Sequence, residues 1–134
     1  MVEKESRTIE KKNVIWIPGN VPSSKNSRTF NFSMKRSFAS KTVQRYIRNS
    51  EKHYKKNKAK FRKLIEKLHK PYHVEFTFVR GTRHKFDYIN PAQTVQDLMV
   101  KYKWIEDDNC TIMMPSFGDY EYDKENPGVR IEVW

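Results

Sequence analysis

Asp87, Asn90, Asp97 and the adjacent pair Asp107-Asp108 are the side chains of this sequence best suited to chemistry. Carboxylates gathered in one stretch suit a hard divalent cation such as Mg²⁺, which takes oxygen ligands and keeps several waters. Such an ion can polarise a phosphoryl oxygen and generate a nucleophile from water, and a pair of ions can clamp both the attacking and the leaving oxygen. The rest of the chain supplies a reason to think of phosphates. Lys and Arg number 27 against 16 Asp and Glu, a net charge of +11 in 134 residues. Residues 41–70 carry 12 basic and 2 acidic groups, whereas residues 105–134 carry 2 and 8. A basic surface grips a polyanion, and carboxylates facing that polyanion repel it unless a cation lies between them. A metal-dependent nuclease requires this combination. Each acid also has a plain structural reading: Asp87 as a favourable charge ahead of a helix N-terminus, and Asp107-Asp108 as a solvated turn.

The loop Ser23-Ser24-Lys25-Asn26-Ser27-Arg28, continued by Lys35-Arg36, mixes short hydrogen-bond donors with long cations and can hold a phosphate from several directions. Lys41, Arg83 and Lys85 extend this set of DNA-contact candidates. His53, His69, His73 and His84 share no metal-ligand spacing, and only His84, in the basic turn near Asp87, is a candidate for testing. No phosphate-binding loop, dinucleotide fingerprint or nucleophile elbow occurs. The single Cys110 excludes an internal disulfide and a Cys-rich zinc site, and reads as a small apolar residue buried in a strand. A charged start without an apolar run, and no stretch near the ~20 apolar residues of a membrane span, make a cytoplasmic setting the expectation.

These residues need a scaffold, and the hydrophobic pattern predicts one. Residues 1–12 are charged and aperiodic and are expected to be flexible, leaving 13–134 as one domain. Residues 13–17 read as a strand stopped by Pro18-Gly19-Asn20, and residues 21–37 as an irregular loop. A long helix is predicted over 38–69 from the spacing of Val43, Ile47, Tyr54, Phe61, Leu64 and Leu68. Polar Ser50 and Asn57 fill the two vacant slots and make a break near Asn57 conceivable. Ser40 is its N-cap candidate and Pro71 its stop. Residues 72–79 alternate cleanly as a strand, with Tyr72, Val74, Phe76 and Phe78 on one face. Asn90-Pro91 reads as the cap and first position of a helix to about residue 102, with Val95, Leu98, Met99 and Tyr102 inward. Trp104 and Ile105 are placed in the core. Residues 110–114 read as a strand ended by Pro115, residues 116–128 as a loop, and 129–133 as a last strand. The order β-α-β-α-β-β predicts an α+β domain, with a small mixed or antiparallel sheet of about four strands against two main helices.

The order of these motifs resembles the RusA family of Holliday-junction resolvases, small Mg²⁺-dependent endodeoxyribonucleases. An early strand is followed by a Pro-x-x-x-Asn loop, here Pro22-Ser23-Ser24-Lys25-Asn26, and then by a serine-led helix, here from Ala39-Ser40-Lys41 to Tyr46. The most specific part is Phe86-Asp87-Tyr88-Ile89-Asn90, Asp97-Leu98-Met99 and Trp104-Ile105-Glu106-Asp107-Asp108, with 21 residues from Asp87 to Asp108 and no gap. The resemblance implies Asp87 and Asp108 as metal-binding acids, Mg²⁺ (or Mn²⁺) as the cofactor, and a homodimer making paired nicks in branched DNA during recombination or repair. It also places Asn90 among the catalytic residues. Two departures stand out: Ile89 where the family commonly has a second Asp, and Gln93 where it has a Lys. Asp107 or Asp97 is the candidate replacement ligand, and Arg83 or Lys85 the replacement cation. The alternative is a nucleic-acid-binding protein with a degenerate metal site, on either DNA or RNA.

Overall fold

The computed structural model describes residues 13–23, 28–31 and 36–134; the expected flexible start and the candidates Lys25, Asn26 and Lys35 lie outside the described residues. The chain order is β1 (Val14–Pro18), β2 (Arg28–Asn31), β3 (Arg36–Ala39), α1 (Lys41–Ile65), β4 (Tyr72–Arg80), α2 (Ile89–Lys101), β5 (Met113–Phe117), β6 (Glu121–Tyr122) and β7 (Gly128–Val133). Strands β1, β7, β4 and β5 lie side by side in that order, and β6 continues the outer edge along β4. The β1–β7 and β7–β4 pairs are antiparallel, and β4–β5 and β4–β6 are parallel, so the sheet is mixed. A parallel pair needs a crossover, and α2 supplies it between β4 and β5. The fold is the expected single α+β domain.

One sheet face is apolar and covered. Ile15, Ile17, Val74, Phe76, Phe78, Val129 and Ile131 form a single core with Tyr46, Tyr54 and Phe61 of α1, Val95, Leu98 and Met99 of α2, and Trp104 just beyond it. The alternate positions Trp16, His73, Glu75, Arg130 and Glu132 point the other way and keep partial exposure. This is the period-two pattern of a sheet with one packed face.

Helix α1 begins where Ser40 Oγ accepts the Val43 N–H at 3.3 Å. It starts at Lys41, not residue 38, because 36–39 belong to β3. That strand pairs antiparallel with β2, so the region expected to be one irregular loop holds a hairpin. No break occurs at Asn57. Asn57 Nδ2 donates to the His53 carbonyl at 2.8 Å and Ser50 Oγ to the Tyr46 carbonyl at 2.7 Å. Both polar slots are thus satisfied within the helix and can sit on its packed side.

Three other expectations are corrected. Helix α2 starts at Ile89 with Tyr88 at the cap position and no side-chain cap bond, so Asn90 lies in the first turn and is not the cap. Strand β5 runs through Pro115, which an edge strand tolerates because an outward-facing N–H is not missed. Cys110 is exposed. Asn109 holds the turn ahead of β5: its Oδ1 accepts the Thr111 N–H, and its carbonyl accepts the N–H groups of Ile112 and Met113. Cys110 is thereby left at the turn's tip. Between β5 and β6, Gly118 lies so close to Thr77 that a Cβ would come within 2.5 Å of its Oγ1, which lets the edge kink and resume as β6.

The core also contains a titratable pair. Tyr46 and Tyr54 share a hydrogen bond of 3.0 Å between hydroxyls, and Tyr54 is fully buried. Burial pushes the Tyr46 hydroxyl up to about 12 and raises that of Tyr54 well above its ordinary value, Tyr46 adding to the latter. A folded-state pKa above the unfolded one gives stability that is full below the unfolded value, about 10, and is lost as pH rises through the folded value. Urea midpoints followed by Trp104 fluorescence should therefore stay level from pH 7 to 9. Above pH 10 they should fall, the unfolding free energy losing up to about 2.7 kcal/mol per pH unit for two retained protons. Tyr46→Phe/Tyr54→Phe should flatten that fall; an unchanged slope in the double variant would assign it elsewhere.

Candidate nucleic-acid interface and acidic residues

Helix α1 carries ten Lys and Arg and one acid, Glu51. Its buried positions Val43, Tyr46, Ser50, Tyr54 and Phe61 are each followed two residues later by a cation: Arg45, Arg48, Lys52, Lys56 and Lys63. Two helical steps are 200° of rotation, so these cations line the face opposite the core. They are exposed. Among the described residues, only Lys55 of this helix has a carboxylate partner, Glu51 at 2.9 Å. Lys60 and Arg62 donate instead to the carbonyls of Val14 and Lys103. The result is a solvent-facing cationic stripe with almost no counter-charge on its own helix.

The acids are placed by α2. Asp87 lies between β4 and α2, at the C-terminal end of β4; it is exposed, and its carbonyl accepts the Asn90 N–H at 3.1 Å. The chain then descends α2, leaves it through Lys103 in the left-handed region (φ 67°), and turns Trp104 into the core, where Nε1 donates to the Tyr54 carbonyl. Asp107 and Asp108 follow in the turn ahead of β5, whose first residue pairs with the first residue of β4. The Lys70–Glu106 ion pair, 2.7 Å, anchors this turn to the N-terminal end of β4. Asp87 and Asp107-Asp108 thus stand at opposite ends of the β4-α2-β5 unit. The 13-residue helix between them is about 20 Å long at 1.5 Å per residue.

The two ends differ in chemistry. Asp107 is committed to its own turn: Oδ2 accepts from Asn109 Nδ2 at 2.9 Å and Oδ1 from the Asp108 N–H at 2.8 Å. Those bonds, the Asn109 side chain first, hold its carboxyl below its ordinary pKa. Asp108 is half-buried. Asp97 sits on the exposed face of α2 and accepts Gln93 Nε2 at 2.8 Å, so its carboxylate is engaged within its own helix. Ile89, two residues after Asp87, is 72% exposed. Among the described residues no group of three or more His, Cys, Asp or Glu has the arrangement of a metal site. The candidate acids of one chain are thus spread over two ends of the β4-α2-β5 unit and not gathered at one point.

Around Asp87 the structure adds residues that the sequence reading did not single out. Arg80 ends β4 and is only 4% exposed; Nη1 donates to the Val21 carbonyl at 2.6 Å and Nη2 to Ser23 Oγ at 2.9 Å. Its guanidinium lies 4.6 Å from the Phe86 ring centroid. It thus ties the start of the Pro22-Ser23 loop to the residue before Asp87. Arg83, His84 and Lys85 are exposed beside it, and Arg28 and Arg36 lie on the β2–β3 hairpin. Lys41 is exposed at the start of α1. Among the described residues no helix is long and apolar enough to cross a membrane. No protein-family model and no curated protein matches the chain.

Proposed function

We propose that this chain binds branched DNA and, as a Mg²⁺-dependent homodimer, nicks it in the manner of the RusA-like resolvases its motifs resemble. The observation that carries the binding half is the exposed cationic stripe of α1, left without carboxylate partners except at Lys55. A stripe of that kind fits a phosphate backbone and repels itself in its absence. The cleavage half rests on the Asp87-to-Asp108 segment. Because α2 holds those acids apart, a shared ion requires two copies, with Asp87 of one copy beside Asp108 of the other. A two-fold axis that builds one such site builds its twin, as paired nicking demands. A bound Mg²⁺ would supply Lewis-acid activation of the phosphodiester.

A second reading, binding without cleavage, is favoured by Ile89, which presents an apolar side chain where a ligand is usual. Incubating a synthetic four-way junction with the protein in Mg²⁺ and in EDTA separates the two: Mg²⁺-dependent nicks support the enzyme, and a stable uncut complex in both supports the binding module. Either way the log of affinity should fall linearly with log salt, by about 0.9 per phosphate neutralised on duplex DNA. Arg48→Glu/Lys52→Glu/Lys56→Glu should lower both affinity and that slope for every sequence alike. A salt-independent affinity would remove the electrostatic basis of the proposal.

A further inference from the structure

The C-terminal end of β4 carries an aromatic cluster that the core does not use up. Phe86 and Tyr88 lie 5.2 Å apart between ring centroids. Tyr120 meets Phe86 edge-on at 5.4 Å, and Tyr88 leans on Phe117 at 5.2 Å. The Tyr120 N–H donates to the Tyr88 hydroxyl at 3.3 Å, which fixes the tip of the 118–120 turn against the cluster. Beside it, the Arg83 guanidinium sits 4.1 Å from the Tyr122 centroid, and Tyr122 pairs with Arg80 in the β6–β4 ladder. Yet much of this surface faces solvent: Tyr120 is 56% exposed, Tyr122 39% and Phe117 38%. Contiguous exposed aromatic surface in a soluble domain marks a site of interaction.

We propose that Tyr120, Tyr122 and the Arg83 guanidinium form a stacking platform for an unpaired nucleobase at the branch point, next to Asp87. This rests on the DNA-binding reading above and extends it to how a branch is told from a duplex. Rings already held by neighbouring rings and by a backbone hydrogen bond lose little freedom on binding, and every base offers a π-face to them. Arg83 and Lys85 have no ion-pair partner among the described residues, and Arg83 lies against the Tyr122 ring, so a strand's phosphates have a cation to meet while a base stacks. Two acids of the same segment are engaged elsewhere, Glu121 by Arg130 and Asp123 by the N–H groups of Glu125 and Asn126, which leaves the Arg83 cation facing the rings as the charge that meets a phosphate. Bases within a duplex have both faces covered by neighbours. Only a strand splayed at a junction, flap or end can present one, so the platform favours branched over linear DNA.

The test measures affinity for a four-way junction and for a linear duplex of the same sequence, both in EDTA so that nothing is cut. Tyr120→Leu and Tyr122→Leu should each weaken junction binding about tenfold while duplex binding stays within about twofold, and Tyr120→Phe should behave as the parent. A junction carrying 5-iodouracil at the branch should photocross-link to the parent protein within residues 117–122, a readout independent of any variant's folding. Equal losses on junction and duplex, no loss at all, or cross-links confined to α1 would overturn the platform and leave the DNA reading intact. A fall in molecular mass by light scattering for Tyr120→Leu would overturn it by making the surface a subunit interface. A parent that binds neither DNA would overturn the DNA reading itself, and the platform with it.

Discussion

Asp87→Asn and Asp108→Asn, each expected to nick a four-way junction only slowly, should regain nicking when they are mixed and allowed to exchange subunits. Each substitution keeps the side chain's shape and removes its charge. If Mg²⁺ acts in this protein, losing one ligand forfeits several kcal/mol of transition-state stabilisation, so each pure variant should lose about a hundredfold or more in rate. The helix between the two acids decides what mixing does. In a heterodimer whose sites each draw Asp87 from one chain and Asp108 from the other, both lesions fall in one site and the second site is wholly native. Random exchange makes half the dimers mixed, so about a quarter of all sites recover. Each mixed dimer then nicks one strand only, giving nicked junctions and few resolved duplexes. Were both ligands drawn from one chain, every site in the mixed dimer would carry a lesion and nothing would recover. Junction binding by both variants should equal or exceed the parent's, since a carboxylate facing phosphate has gone. Asp97→Asn is the control: its carboxylate is held by Gln93 on the face of α2, and it should cut like the parent.

The same helix marks the limit of what the residue pattern reveals. Helix α2 and its flanking acids are visible in the chain as a spacing, and a spacing of 21 residues says nothing about direction. Only the parallel pairing of β4 with β5 shows that the helix carries the chain from one end of the sheet to the other, and so parts Asp87 from Asp108. Elements with strong periodicity were legible: the alternation of β4, the inward stripe of α1, and Trp104 and Ile105 in the core. The β2–β3 hairpin was not, although Phe30, Phe32 and Met34 alternate with Asn31 and Ser33, because Ser, Asn, Lys and Arg dominate that stretch by composition. Arg80 was legible in principle. Tyr72, Val74, Phe76 and Phe78 set the inward register, and one more step of two lands on Arg80. A charged residue at that step reads as the strand's end, whereas it is the strand's last inward residue. The aromatic cluster needed three separate segments, 86–88, 117–122 and the end of β4, to be brought together, and no local pattern links them.

Arg80 should therefore matter beyond its own bonds. It is buried with no carboxylate in ion-pair range among the described residues, and its Nε has no hydrogen-bond partner. Burial pushes its pKa down, but a guanidinium remains charged at any pH the fold survives. A charge desolvated in this way is unfavourable by itself, and its two bonds to the Val21 carbonyl and Ser23 Oγ offset that. Arg80→Ala removes both bonds, strands the Val21 carbonyl and opens space beside Phe86; hydrogen bonds to a charged group are worth about 1.5–3 kcal/mol, so a loss of about 3 kcal/mol in urea unfolding is expected. Arg80→Met keeps the volume and relieves the buried charge, so its loss should be nearer about 1 kcal/mol. The two variants should converge in function. Without the guanidinium, the loop at Pro22-Ser23 and the segment at Phe86-Asp87 no longer share an anchor. Junction affinity and any nicking should fall in Arg80→Met despite its better stability. If Arg80→Met bound and cut junctions like the parent, the tie between loop and acid would have no functional weight, and Arg80 would be a packing residue only.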